Sequence, residues 1–161
     1  MKEPAKGIQV VASDAVRQVT KPWGWEKWLA DGAPTFPYAL KIIHVRAPHK
    51  TSLQFHRTKQ ESTCMMKGRA FLHFVEAPID AERYARGGYT DQEIQAILKT
   101  LQVRELHEGD TLHVMPGHIH RIEARDEDIT YVEASTIELD DVFRLQDDSA
   151  RDHGHIASEH K

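Results

Sequence analysis

The sequence predicts an all-β domain, a sandwich or barrel, interrupted by one inserted helix. Three observations predict it. Eight short segments rich in β-branched and aromatic residues follow one another from Tyr38 to Ala134, most of them separated by Gly, Pro or charged turns. One segment, between Tyr89 and Leu101, carries apolar residues at helical spacing instead. The 161 residues, 40% of them hydrophobic, support one sizeable core and leave little room for a second.

The elements follow in chain order. Residues 1–20 show no firm periodicity and read as an arm or an extra strand. Lys21-Pro-Trp-Gly-Trp-Glu-Lys-Trp28 packs three tryptophans into six positions around Pro22 and Gly24, the composition of a packed corner whose indole N–H groups find partners; sugar stacking is the minor alternative. The barrel spans 21–148. Its strands are expected at Tyr38–Arg46, Ser52–His56, Ser62–Met66, Ala70–Val75, Val103–Leu106, Thr111–Met115, His120–Ala124 and Ile129–Ala134. Thr90 and Glu93 form a capping box, and Ile94, Ile97, Leu98 and Leu101 make one apolar stripe, so a helix near residues 90–101 covers core. Residues 149–161 are polar and are expected to form a disordered tail.

Composition excludes several functions. The 21 basic and 25 acidic side chains give a net charge of −4, and no long cationic block favours nucleic acid or an anionic membrane surface. No apolar run reaches the roughly 20 residues of a membrane span, and the start lacks a signal-peptide core. Cys64 is the single cysteine, so no disulfide forms within the chain and a reducing cytoplasm is the expected location. Cys64 sits in no motif that marks a nucleophile. The anomaly is histidine: eleven in all. His153, His155 and His160 lie in the tail, and the other eight fall in the strand-rich region. Histidine is the commonest metal ligand and a frequent general base.

Two segments concentrate the chemistry. The first runs from Pro48 to Gly68 and contains Gln54, His56 and Glu61; the second runs from Gly109 to Ala124 and contains Met115, Gly117 and His120. Gln54 and His56 are two apart, so on a strand both point to one face. Glu61 returns to that face after a short turn, and Gly117 makes the sharp bend from which His120 starts a new strand. These segments resemble the paired motifs of the cupin superfamily, G-x5-H-x-H-x(3,4)-E-x6-G and G-x5-P-x-G-x2-H-x3-N. The match holds at His56, Glu61, Gly68, Gly109, Gly117 and His120, with their spacings kept. Gln54 replaces the first histidine, Pro48 the opening glycine, Met115 the proline and Ala124 the final asparagine. Glutamine at the first position resembles the mannose-6-phosphate isomerase branch, particularly the isomerase domain fused to mannose-1-phosphate guanylyltransferases. Lys21-Pro-Trp-Gly24, Leu40-Lys-Ile42, Ser52-Leu-Gln-Phe-His56 and Asp140-Asp-Val-Phe-Arg-Leu-Gln-Asp-Asp148 resemble the same branch.

The resemblance implies a single cupin jelly-roll barrel, a homodimer, and one divalent metal ion held by Gln54, His56, Glu61 and His120. Two imidazoles, one amide oxygen and one carboxylate suit Zn²⁺ first, with Mn²⁺, Fe²⁺ or Co²⁺ as alternatives. The implied reaction is aldose–ketose isomerisation of a sugar, expected to be a sugar phosphate, through an enediolate. Lys41 shares strand parity with Ile43 and Val45, so it either enters the barrel to meet an anionic substrate or snorkels at the strand end. Arg144 falls where the branch carries an arginine assigned to the substrate; a surface salt bridge with Asp140, Asp141 or Asp147 is its other reading. Lys41 and Arg144 are thus candidate catalytic and substrate-binding residues, and His118, which shares strand parity with His120 but follows directly on the Gly117 bend, is a third substrate-binding candidate. The base is open among His113, His118 and Glu133, with His113 read as a hydrogen-bonded barrel histidine. Two other functions fit the same residues: a non-catalytic sugar-binding or regulatory module, and an Fe²⁺ oxygenase using His56, His120 and Glu61.

Overall fold

The computed structural model describes residues 2–160; Met1, first residue of the expected arm, and Lys161, last of the expected tail, lie outside the described residues. Eleven strands form: β1 Arg17–Lys21, β2 Gly24–Asp31, β3 Ala39–Val45, β4 Leu53–Phe55, β5 Glu61–Lys67, β6 Ala70–Phe74, β7 Gln102–Leu106, β8 Thr111–Val114, β9 His120–Ala124, β10 Ile129–Ser135 and β11 Phe143–Gln146. Two helices, α1 Ala81–Ala85 and α2 Asp91–Leu98, stand between β6 and β7. A six-stranded sheet of order β1-β2-β3-β10-β5-β8 faces a five-stranded sheet of order β11-β4-β9-β6-β7, and the strand pairs are antiparallel. None of the described helices is long and apolar enough to cross a membrane.

The eight expected strands all form. The tryptophan segment, expected as a corner, is instead the β1–β2 hairpin. Gly24 permits it, because a Cβ there would lie 1.9 Å from the carbonyl oxygen of His44 on the neighbouring strand. The three indoles diverge. Trp23 is buried with an unpartnered N–H, Trp25 stacks on His44 at 5.0 Å, and Trp28 donates to Glu26. On α2, Thr90 and Glu93 make the expected capping box. Its Ile94, Ile97 and Leu98 pack on the buried cluster of Leu53, Phe55, Val75, Ile79 and Ile119, so the helix covers the outer face of β4.

Inside the barrel, each of four strands changes character halfway along its inward face. On β3, Val45 and Ile43 are followed by Lys41; on β10, Ile129 and Tyr131 by Glu133 and Ser135. On β5, Met65 gives way to Thr63 and Glu61, and on β9, Ala124 and Ile122 give way to His120. Because side chains alternate with period two, the register stacks these changes at one level, with Glu133 opposite both Lys41 and Thr63. The apolar half is the core of Trp23, Ile43, Val45, Met65, Leu72, Ile122, Ile129 and Tyr131. The polar half is a cavity, and that is where the candidate site lies.

The C-terminal segment differs from the disordered tail its polarity predicts. Residues 149–160 lie across the mouth of this cavity. Arg151 takes Asp147 with two hydrogen bonds of 2.8 and 2.9 Å, Arg151 and Lys21 share the Glu159 carboxylate, and Arg17 meets His160. Alternating opposite charges lay down by mutual pairing a segment that has little apolar surface to bury.

Candidate metal centre

His56, Glu61 and His120 converge on one point: one donor atom from each lies within 4.8 Å of the others. His56 directly follows β4, Glu61 opens β5 and His120 opens β9. The two sequence motifs are physically joined there, because the Gly117 N–H donates to the His56 carbonyl at 2.7 Å. Gly117 makes that turn at φ +80°, and a Cβ there would lie 2.9 Å from the Ile79 carbonyl oxygen.

Hydrogen bonds fix which nitrogen faces the centre. His56 Nδ1 donates to the carbonyl of Asp141, and His120 Nδ1 donates to that of His118 at 3.0 Å. A carbonyl only accepts, so each Nδ1 carries the proton and each neutral ring turns a bare Nε2 inward. His56 Nε2 stands 3.3 Å from Glu61 Oε1 and His120 Nε2 stands 3.3 Å from Glu61 Oε2. His56 Nε2 is buried with no hydrogen-bond partner. Two lone pairs aimed at a carboxylate need a cation between them. Donors arranged tetrahedrally at bond lengths of roughly 2.0–2.2 Å lie about 3.4 Å apart, close to what is found. A divalent metal therefore fits these residues, and a carbonyl accepting from the far nitrogen of each imidazole is the usual support of such ligands. Without one, a proton partly takes its place. Burial disfavours the His120 imidazolium, but Glu61 outweighs it and holds the ring above its ordinary range. Burial likewise raises Glu61, yet Lys59, His56 and His120 together pull it well below the usual carboxylate range.

Gln54 lines the same cavity and pairs directly opposite His120, so it stands beside the three donors. Its Oε1 accepts from Ser52 Oγ at 2.5 Å. Lys41 enters the barrel and does not snorkel out: it is buried, 3.7 Å from Glu26 and 4.1 Å from the Trp28 ring centroid. Arg144, opposite Gln54 on β11, lines the cavity too. It makes none of the anticipated aspartate salt bridges. Its Nη1 donates to the carbonyls of Asp152 and Gly154, and its buried Nε has no partner. His118 is a correction. Its ring lies in the turn before β9 begins, on a neighbouring recess with Leu72, Met115 and Ile119, and turns its Nδ1 to the carbonyls of Met115 and Pro116. His113 is hydrogen-bonded, to Ser62 Oγ at 2.8 Å, but it is exposed on the outer face of β8 and does not face into the barrel.

Several cavity residues carry no motif. Glu133 faces in, and burial together with the Glu61 carboxylate pushes it up to about 7 against the pull of Lys59 and Lys41. Lys59 is buried and bonded to Glu61. Burial lowers a lysine, but Glu61 and Glu133 more than offset it and hold Lys59 above its ordinary value. Glu26 accepts from Trp28 at 2.9 Å; burial raises it, and Lys41 and Lys21 pull it below the ordinary range. Parity was the available signal: Lys59 is two residues from Glu61, and Glu133 two from Tyr131.

Asp141 organises the approach to the centre. Its carboxylate accepts the backbone N–H groups of Arg57, Thr58 and Lys59 at 2.7–2.9 Å while its carbonyl orients His56. Asp141→Ala is therefore expected to lower Zn²⁺ affinity about 10–100-fold, read by competition with a chromophoric chelator. Asp140→Ala, which removes only a 3.8 Å contact with His155, serves as the control and leaves affinity unchanged.

No protein-family model matches the chain, and no curated protein matches it. Solved structures do. The polyketide cyclase RemF from Streptomyces resistomycificus is 12% identical at a TM-score of 0.62, over 87% of each chain. A cupin-2 domain from Rhodospirillum rubrum is 14% identical at 0.59, over 91% of this chain and 84% of that one. The chain has the cupin fold. A sugar phosphate isomerase from a cupin superfamily, from Silicibacter pomeroyi, is 14% identical at 0.55, over 80% of this chain and 75% of that one. The capsular polysaccharide assembling protein CapF from Staphylococcus aureus is 12% identical at 0.60 over 82% of this chain, which spans 33% of that protein's length. Such different chemistries on one cupin scaffold leave the reaction to the side chains of the cavity.

Proposed function

We propose that the protein is a metal-dependent aldose–ketose isomerase of the mannose-6-phosphate isomerase kind, acting on a phosphorylated sugar. One observation carries the reading: a three-donor metal centre, a carboxyl poised at about 7 and the cations Lys41 and Arg144 share one barrel cavity. The sugar phosphate isomerase among the structural neighbours supports it. A divalent ion bound by His56, Glu61 and His120, with Gln54 beside them, supplies Lewis acidity to adjacent sugar oxygens. Glu133 does the proton work. As carboxylate it takes the proton from C2 of the aldose, leaving an enediol once the carbonyl oxygen is protonated. As carboxylic acid it returns that proton to C1 while the C2 hydroxyl gives up its own, replacing the one taken up at the C1 oxygen, so the ketose forms with no net gain or loss of protons. A group titrating near the working pH serves both directions. Lys41 and the unpartnered Nε of Arg144 offer the anionic end of the sugar its contacts.

A panel of hexose and pentose phosphates, assayed with Zn²⁺, Mn²⁺ and Co²⁺ and followed by exchange of deuterium at C2, tests the reading. Turnover is expected for at least one pair, and absence of turnover with every metal-loaded sample overturns it. Glu133→Gln is expected to lower kcat about 10²–10⁴-fold with metal affinity kept within about twofold. A second reading has its own observation. Gln54 is already engaged by Ser52, which leaves His56, His120 and Glu61 as a two-histidine, one-carboxylate set suited to Fe²⁺ and oxygen. Iron in the isolated protein together with oxygen consumption would favour that reading; zinc favours the isomerase.

A further inference from the structure

The tail places a carboxylate inside the site. Glu159 Oε2 accepts from Lys21 Nζ at 2.7 Å and Glu159 Oε1 from Arg151 Nη1 at 3.2 Å, with all three side chains about nine-tenths buried and lining the same cavity as the metal centre. Arg144, the cation expected to meet substrate, spends its Nη1 on the tail carbonyls of Asp152 and Gly154 and keeps a buried Nε free. His160 closes the edge by standing perpendicular to the Trp28 ring at 5.3 Å. The tail thus occupies, with its own oxygens, the donors that an anionic ligand would use. It also leaves a cavity of about 120 Å³, well short of the roughly 300–1,000 Å³ of a ligand pocket.

We infer that Lys21, Arg144 and Arg151 form an oxyanion seat at the barrel mouth, that Glu159 fills it as an internal stand-in for the ligand, and that an oxyanion-bearing ligand enters by displacing the tail. This deepens the isomerase reading and rests on it for the site and the sugar. Charge is consistent. Withdrawing Glu159 leaves the cations Lys21, Lys41, Arg144 and Arg151 facing Glu26 and Asp147, with Glu133 opposite Lys41 as a third carboxyl group. The net positive excess that remains suits an incoming oxyanion. A phosphate monoester and a sugar carboxylate share the required chemistry, three or two acceptor oxygens with negative charge.

The test uses full-length protein stripped of metal by chelator, so that its outcome is independent of whether isomerase turnover is found. Sodium phosphate and sodium gluconate are titrated calorimetrically into wild type and into Glu159→Gln. The variant is expected to bind at least tenfold more tightly, because the competing internal anion is gone. Tightening for phosphate assigns the seat to a phosphate monoester, and tightening for gluconate alone to a sugar carboxylate. Adding Lys21→Met to Glu159→Gln, which leaves Glu26 with Lys41 and Trp28 as partners, is expected to cancel the gain. A second measurement needs no variant: saturating phosphate is expected to accelerate hydrogen–deuterium exchange of wild-type amides over residues 151–160. Affinities of both anions within twofold between wild type and Glu159→Gln, survival of the gain in the double variant, or unaccelerated tail exchange each overturn the proposal.

Discussion

Alanine at His56 or His120 is expected to abolish one-to-one Zn²⁺ binding, with affinity falling by more than about 100-fold, since even outer-shell supports of a ligand are worth 10–100-fold. The reasoning is geometric. Each imidazole brings one bare nitrogen to a point 3.3 Å from the Glu61 carboxylate, and each is held by a carbonyl on its other nitrogen, so neither neighbour can rotate to replace it. Alanine at His113 or His118 is expected to leave Zn²⁺ binding unchanged, because one ring pairs with Ser62 on the outer face of β8 and the other turns to the carbonyls of Met115 and Pro116. Elemental analysis and chelator competition read the binding. Thermal unfolding reads it again: free Zn²⁺ at 100 times its Kd stabilises the wild type by about 2.7 kcal/mol, and that increment disappears in either ligand variant. Wild-type protein that retains no transition metal, or ligand variants that bind as tightly as wild type, would remove the centre on which the proposed chemistry stands.

The fold and the three metal donors were legible in the sequence for a local reason. Strand alternation and turn residues are written in consecutive positions, and the Gln54, His56 and Glu61 spacing lies within one strand–turn–strand unit. His120 came from a second motif of the same kind. Residues that act through distant pairing were not legible. The strand β11 has only four residues, with all side chains at best half-buried, so Phe143–Gln146 shows little alternation; its position depends on pairing with β4 across 88 residues of chain. Glu133 stood in the sequence as one of three candidate bases, and only its flanking by β3 and β5, which lifts its titration to about 7, separates it from His113 and His118. His118 failed because it lies in the turn before β9, which begins only at His120, so strand alternation does not yet apply to it. The tail failed because composition argues only from apolar burial, whereas Arg151, Glu159 and Lys21 settle it by charge pairing.

Glu61→Gln is expected to destabilise the metal-free protein by about 3–5 kcal/mol, a fall of roughly 6–20 °C in Tm for a chain of this length. Lys59 is 4% exposed and bonds Glu61, so the substitution leaves a buried ammonium facing an amide. Glu133 reduces the loss only in part: relieved of its neighbouring carboxylate, it ionises more readily, but its register places it opposite Thr63, two residues along β5 from Glu61. Combining Glu61→Gln with Lys59→Met removes both buried charges and is expected to recover most of the lost stability, since breaking such a pair costs far more than deleting it whole. Metal affinity separates the two roles of Glu61. The double variant regains stability but not Zn²⁺ binding, because an amide oxygen between two neutral imidazoles supplies no negative charge. Urea unfolding of the two single variants and the double variant, each with and without Zn²⁺, closes the cycle. A loss below about 1 kcal/mol in Glu61→Gln would mean that water reaches Lys59, and then the low-dielectric cavity that lifts Glu133 toward neutral pH would be lost with it.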